Sequence, residues 1–215
     1  TQEVLGTTFI DDCQWDRSAE YPRTQGLTWD TVNGKIDMTE QAAGITIGEY
    51  SDFYVEAEFY QSDVIVVSGR CTIAFCSDVD SPSYNGGNKY LFTTYGEFEL
   101  RLQTVVEGEL STIKTVTLTT STKNKLIKLA VLKVGSSIKC YYNGELVIST
   151  TNTTFSYGKV VVGNSIFFEP MYFRNVIAIG LDPTATNGIA ACIPPIGGGA
   201  RYGVEESVYN TFTTE

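Results

Sequence analysis

Apolar and polar residues alternate along this chain in short runs separated by Gly, Asn, Asp and Ser, and no stretch repeats apolar residues at the three- and four-residue spacing of an amphipathic helix. The pattern predicts strands throughout. In residues 52–60, Phe53, Val55, Ala57 and Phe59 fall on one face and Tyr54, Glu56, Glu58 and Tyr60 on the other, as in a strand with one side on a core and one in water. On that reading both glutamates point to solvent. Further runs at 71–76, 89–94, 97–106, 113–119, 125–134, 137–142, 145–150, 158–162 and 171–180 have turn residues between them. Strands of this length and spacing predict an all-β sandwich or barrel.

Several junctions specify hairpins. Asn143-Gly144 lies between two alternating runs, and type I′ turns need positive φ at both central positions, which Asn-Gly supplies. Glu107-Gly108 and Asn33-Gly34 read the same way with less force. The succession Trp29 to Ile36, then Phe53-Tyr54-Val55-Glu56-Ala57-Glu58-Phe59, Thr72-Ile73-Ala74-Phe75 and Lys89-Tyr90-Leu91-Phe92 resembles the opening of a concanavalin A-like (laminin G-like) domain. Phe98-Glu99-Leu100-Arg101-Leu102, Leu126-Ile127-Lys128-Leu129, the run around Asn143-Gly144, Phe155 to Val160 and Tyr172-Phe173-Arg174-Asn175-Val176 follow in that family's order, so the resemblance spans residues 8–181. It implies a two-sheet antiparallel jelly-roll sandwich, usually extracellular, used for glycan binding, adhesion or as an appendage. Fold likeness does not choose among these.

Residues 1–181 are therefore read as the sandwich and 182–215 as a C-terminal extension. Pro183, Pro194-Pro195 and Gly197-Gly198-Gly199 break regular structure, and a β-compatible stretch ends the chain. Its residues Val204, Val208, Tyr209 and Phe212 mark the expected assembly strand, pairing either with a neighbouring subunit or back on its own sandwich.

Composition sharpens this picture. With 215 residues, 42% of them hydrophobic, the chain is long enough for one sizeable core. Its longest apolar stretch is far short of the ~20 residues of a membrane-spanning helix. Lys+Arg is 15 against Asp+Glu 25, and the net charge of −10 repels a nucleic-acid backbone, so no nucleic-acid partner is expected. There is no histidine, which removes the usual general base and the commonest zinc ligand. The start at Thr1, without a basic segment and apolar stretch, is that expected of an exported protein after signal-peptide removal, placed outside the cell or on a cell or virion surface. Cys13, Cys71, Cys76, Cys140 and Cys192 show no zinc-like spacing and fit two disulfides and one thiol, or small buried apolar residues. Alternation puts Cys71 on the face of Ile73 and Phe75 and Cys76 on the opposite face, so those two are not expected to bond to each other.

Four sets of residues are candidates for chemistry. Glu56/Glu58 and Glu97/Glu99 are spaced to share a strand face, where two carboxylates can do acid/base work, with Tyr54 and Tyr60 beside the first pair. The hydrolase pattern Glu-x-Asp-x-x-Glu is absent, and the same glutamates suit any wet face. The loop holding Asp78, Asp80, Asn85 and Asn88, with Asp11-Asp12 in addition, has the oxygen donors a calcium ion takes; it also has the composition of an ordinary turn. Among 13 Tyr, 11 Phe and 2 Trp, the loop residues Tyr84, Tyr95 and Tyr157 are placed to stack on sugars, while Trp15 and Trp29 are expected to pack near the first strands. Asn152-Thr153-Thr154 is a glycosylation sequon. The leading expectation is a non-enzymatic extracellular structural or adhesive subunit, self-assembling into a filament, coat or appendage. The alternative is a lectin-like carbohydrate-binding module, calcium-assisted, and a minor alternative is a glycoside hydrolase.

Overall fold

The alternating runs between residues 52 and 180 form strands in the computed structural model, which describes residues 8–62, 70–166 and 170–181. Fourteen strands follow in order among these residues: β1 (Thr8–Asp11), β2 (Leu27–Asp30), β3 (Lys35–Met38), β4 (Gly44–Tyr50), β5 (Phe53–Gln61), β6 (Arg70–Ser77), β7 (Lys89–Tyr95), β8 (Glu99–Val106), β9 (Glu109–Thr117), β10 (Lys125–Val134), β11 (Ser137–Tyr142), β12 (Glu145–Thr151), β13 (Gly158–Ile166) and β14 (Met171–Gly180). They make two antiparallel sheets. The back sheet runs β12-β11-β10-β5-β14-β3-β2, with β1 also paired to β14; the front sheet runs β4-β13-β6-β7-β8-β9. This is the jelly-roll sandwich the sequence resembles.

The turn chemistry fixes the hairpins. Asn143 and Gly144 take φ of 51° and 87°, and Glu107 and Gly108 take 52° and 86°, the left-handed pair a type I′ turn requires. One strand, β4, lacks a clean alternating run because two glycines break it. Gly44 pairs with Gly163 of β13, and a Cβ on Gly163 would collide with the Ala43 carbonyl, so the two backbones come closer than side chains permit.

Phe53, Val55, Ala57 and Phe59 enter the core between the sheets, as alternation predicts. Phe53 of the back sheet meets Phe75 of the front sheet edge to face, with centroids 5.8 Å apart. The opposite face of β5 is not wet. Tyr54 is 1% exposed and Glu56 4% exposed, and Tyr54 joins Ala130, Leu132, Tyr141, Ile177, Ile179 and Leu181 in a second buried apolar cluster. The reason is cross-strand: Tyr54 lies between Leu132 and Ile179, and Glu56 between Ala130 and Ile177.

The cysteines depart from the disulfide expectation and meet its alternative. Cys13, Cys71, Cys76 and Cys140 are free thiols, all buried in the main core, where they pack as small apolar residues instead of bonding in pairs. Cys76 takes φ of 49°, and this left-handed step turns it inward beside the strand face that carries Cys71. Burial pushes the thiols up to about 12 at Cys13 and Cys71 and about 11 at Cys76. Trp29 packs against the core as expected, whereas Trp15, in an irregular loop, is 75% exposed. Among the described residues no helix is long and apolar enough to cross a membrane. Cys192, the C-terminal extension and its Val204, Val208, Tyr209 and Phe212 lie outside the described residues.

Candidate binding site on the front sheet

Three strands and one loop build the most distinctive polar cluster. Thr72 of β6 pairs with Thr93 of β7, and Thr93 pairs with Arg101 of β8, so these three share a row across the sheet. Two residues further along, Arg70 and Tyr95 lie in the next row, with Glu99 opposite Tyr95. The row of hydroxyls is a buried floor: Thr72 Oγ1 is 2.9 Å from Thr93 Oγ1 and 3.0 Å from Ser165 Oγ. Next along the face, Ala74, Leu91, Val105 and Val161 form a small apolar patch, and Tyr84, from the loop between β6 and β7, packs on it.

That loop is pinned from below. Lys89, two residues before Leu91 and fully buried, donates from Nζ to the Ser81 carbonyl at 2.9 Å. Burial lowers its pKa to about 8, with Asp78 opposing the shift. Asp78 accepts from the Asn88 backbone N–H at 2.7 Å and from its side-chain amide at 3.0 Å, closing the loop's neck.

Tyr84 thereby stands beside Arg70. The Arg70 guanidinium lies 5.7 Å from the Tyr84 ring centroid and 4.1 Å from that of Tyr95, and Arg101 lies 3.3 Å from the Tyr95 centroid. Arg101 also donates to Glu99 Oε2 from Nε (3.1 Å) and Nη2 (2.8 Å). Arg70 is different: its described partners are the two rings and the Tyr95 hydroxyl, and no carboxylate bonds to it among the described residues. Burial holds it below the usual arginine range, with Tyr95 and Tyr84 pulling the other way. Two of the three tyrosines predicted as sugar platforms are thus brought together, but their rings are engaged by guanidinium groups. They orient donors instead of offering bare faces. Tyr157, the third predicted tyrosine, is not part of this cluster; it is 59% exposed at the start of β13, the opposite end of that strand from Arg70, and donates to Glu49 Oε2 at 2.8 Å. Arg70 and Arg101 went unpredicted, since isolated basic residues carry no signal until pairing sets them around Tyr95.

The predicted calcium ligands are directed elsewhere. Asp80 accepts from the Thr46 hydroxyl (2.8 Å) and Lys159 Nζ (2.9 Å), away from Asp78, and the Asn88 side-chain oxygen accepts from the Glu107 N–H at 2.9 Å. Asn85 is exposed at the loop's tip. Asp11 is buried and accepts from the Cys13 N–H at 2.7 Å. Among the described residues no three His, Cys, Asp or Glu side chains gather closely enough to hold a metal ion. In the sequon, Asn152 Oδ1 accepts from the Tyr90 hydroxyl (2.6 Å) and the Thr154 N–H (2.9 Å).

The paired carboxylates are also engaged. Glu56 accepts from the Tyr54 hydroxyl at 2.6 Å and lies 3.5 Å from Lys128 Nζ; its pKa is raised by burial, against the pull of Lys128. Glu58 accepts from Arg174 Nε and Asn175 Nδ2, both at 2.9 Å. Beside it, a cavity of about 270 Å³ is lined by Glu58, Leu126, Ile127, Lys128 and Asn143, and Tyr60 stacks on Tyr172 at 5.0 Å. Glu97 pairs with Lys123 at 3.7 Å, apart from Glu99.

No protein-family profile matches the chain. No curated protein sequence matches it either. Solved structures do. The carbohydrate binding module CBM66 from Bacillus subtilis superposes with a TM-score of 0.62 at 22% identity, covering 74% of this chain and 95% of that one. Bacillus licheniformis beta-glucanase gives 0.59 at 12%, covering 82% and 99%. The exoplasmic/lumenal domain of VIP36, in its Ca2+/Man3GlcNAc-bound form, gives 0.58 at 11%, covering 81% and 88%. The expectation that the chain is not an enzyme is corrected by this comparison, because a glucanase carries the same sandwich over nearly its whole length. At these identities the likeness is one of fold, and the fold is the concanavalin A-like jelly roll.

Proposed function

We propose that the chain binds carbohydrate on the outer face of the front sheet. The observation that carries this reading is the Tyr84–Arg70–Tyr95–Arg101 cluster. Four half-buried side chains on rigid strands and a pinned loop hold guanidinium donors in fixed positions. A guanidinium presents five N–H groups in one plane, matched to pairs of sugar oxygens, and ring contacts remove much of the entropy cost of ordering it. The neighbours support the reading through CBM66, a carbohydrate binding module, and VIP36, bound to Man3GlcNAc. The self-assembling structural role rested on residues 204–212, outside the described residues, and the neighbours favour the lectin-like alternative. Calcium has support only from the VIP36 form, so binding is expected to survive EDTA.

The test is glycan-array binding by the full chain, followed by calorimetry on the best hit. Binding that falls by at least tenfold in Tyr95→Ala, with thermal unfolding still cooperative, is the expected result. A full-length protein that binds no glycan overturns the proposal. Assaying the bound glycan for released reducing ends reads out cleavage in the same samples.

A further inference from the structure

We infer that the saccharide taken by this site carries a carboxylate, as a uronic acid does, and that Arg70 is the residue that receives it. This rests on the carbohydrate reading above and names the ligand's chemical class. Three of the five arginines among the described residues bond a carboxylate. Arg17 bonds Glu20, Arg174 bonds Glu58 and Arg101 bonds Glu99, while Arg23 donates to the Ser18 carbonyl. Arg70 has two aromatic rings and a phenol hydroxyl. It does so in a chain with 25 acidic residues against 15 basic, where a carboxylate partner is easily supplied.

The environment makes that lone guanidinium costly without an anion and receptive to one. Arg70 is half-buried, so its charge is only partly hydrated, and the ring faces beside it offer weak compensation. Arg101, over the same Tyr95 ring, adds a second positive charge, of which Glu99 cancels one. The local balance of Arg70, Arg101 and Glu99 is one net positive charge on a protein whose total is −10. At physiological ionic strength screening acts over about 8 Å, so these close groups outweigh the distant negative charge for a short acidic ligand. Carboxylate meets guanidinium through two parallel hydrogen bonds, a geometry that a neutral hydroxyl pair matches only in part. The hydroxyl floor of Thr72, Thr93 and Ser165, one row away, is already bonded within itself and leaves charge as the distinguishing feature.

The experiment compares three probes on the full chain by calorimetry: an oligogalacturonate, its fully methyl-esterified counterpart, and a neutral oligosaccharide of equal length, with free acetate as a fourth arm. The expected result is that the free acid binds roughly ten- to a hundred-fold more tightly than its methyl ester. That preference should collapse in Arg70→Gln, return in part in Arg70→Lys, and shrink as salt is raised. Because the ester comparison uses the unaltered protein, it stands even if a variant folds poorly. Equal binding of acid, ester and neutral sugar overturns the acidic class and leaves the carbohydrate reading intact. Acetate competing as well as the oligosaccharide also overturns it, since the site would then hold an anion without a sugar. No binding of any glycan, here or on the array, removes both.

Discussion

On the outer face of the back sheet, Glu56 is held by Tyr54 and Lys128 and Glu58 by Arg174 and Asn175; on the outer face of the front sheet, Arg70 is held by rings. Both faces arise from the same two-residue alternation, and each buries one ionisable group deeply, Glu56 behind and Lys89 in front. The difference lies in what the neighbouring strands contribute. On the back sheet, β10 and β14 set apolar side chains beside β5, and the acids that remain are matched by bases. On the front sheet, β7 and β8 set a tyrosine and a second arginine beside Arg70. A surface whose charges are satisfied internally serves stability; one that leaves a charge unmatched is available to a ligand.

Four changes probe this contrast. The largest is expected from Tyr54→Ala, which empties the back sheet's outer cluster and should lower stability by about 3 kcal/mol in chemical denaturation while leaving glycan affinity unchanged. Next is Lys89. With a pKa of about 8 in the fold against an ordinary 10.5, the unfolded chain binds the extra proton between those values, so stability gains from this group as pH rises across that window. Measured against Lys89→Met, the wild type should recover about 2–3 kcal/mol between pH 8 and 10.5; parallel pH profiles for the two proteins would refute this. Glu56 runs in the other direction. Burial raises its pKa, so the charged form penalises the fold above that value and the penalty is gone below 4.5, where both states are protonated. Glu56→Gln should therefore be the more stable protein at neutral pH and lose its lead on acidification. The smallest effect belongs to Tyr157→Ala, at the far end of β13, which should change stability by less than about 0.5 kcal/mol and glycan affinity not at all. A marked affinity loss there would place the site at the wrong end of the sheet.

Much of the fold could be read in advance because it depends on local rules. The inward set Phe53, Val55, Ala57 and Phe59 and the Asn143-Gly144 turn follow from period and turn chemistry. What could not be read depends on which strands become neighbours. Tyr54 looks solvent-facing until Leu132 and Ile179 stand on either side of it. Cys76 looks outward until one left-handed residue reverses it. At the site, Tyr84 and Tyr95 were legible as loop aromatics, but Arg70 was not, since its place beside them follows from the Thr72–Thr93 register. Asp78, Asp80 and Asn88 had the right atoms for calcium, and the fold directs them into its own hydrogen bonds.

The meander of β6, β7 and β8 has a consequence for the order in which the molecule assembles. Arg70, Tyr84, Tyr95 and Arg101 lie within one continuous stretch of chain, and bringing them together requires closing only the 78–88 loop and the short turn before β8. The back-sheet face needs β5, β10 and β14, segments separated by most of the chain. Loop-closure entropy favours the nearer contacts, so the binding cluster should acquire protection from hydrogen exchange earlier in refolding than the Tyr54 cluster behind it. The recognition surface would then be in place while the sheet that supports it is still closing.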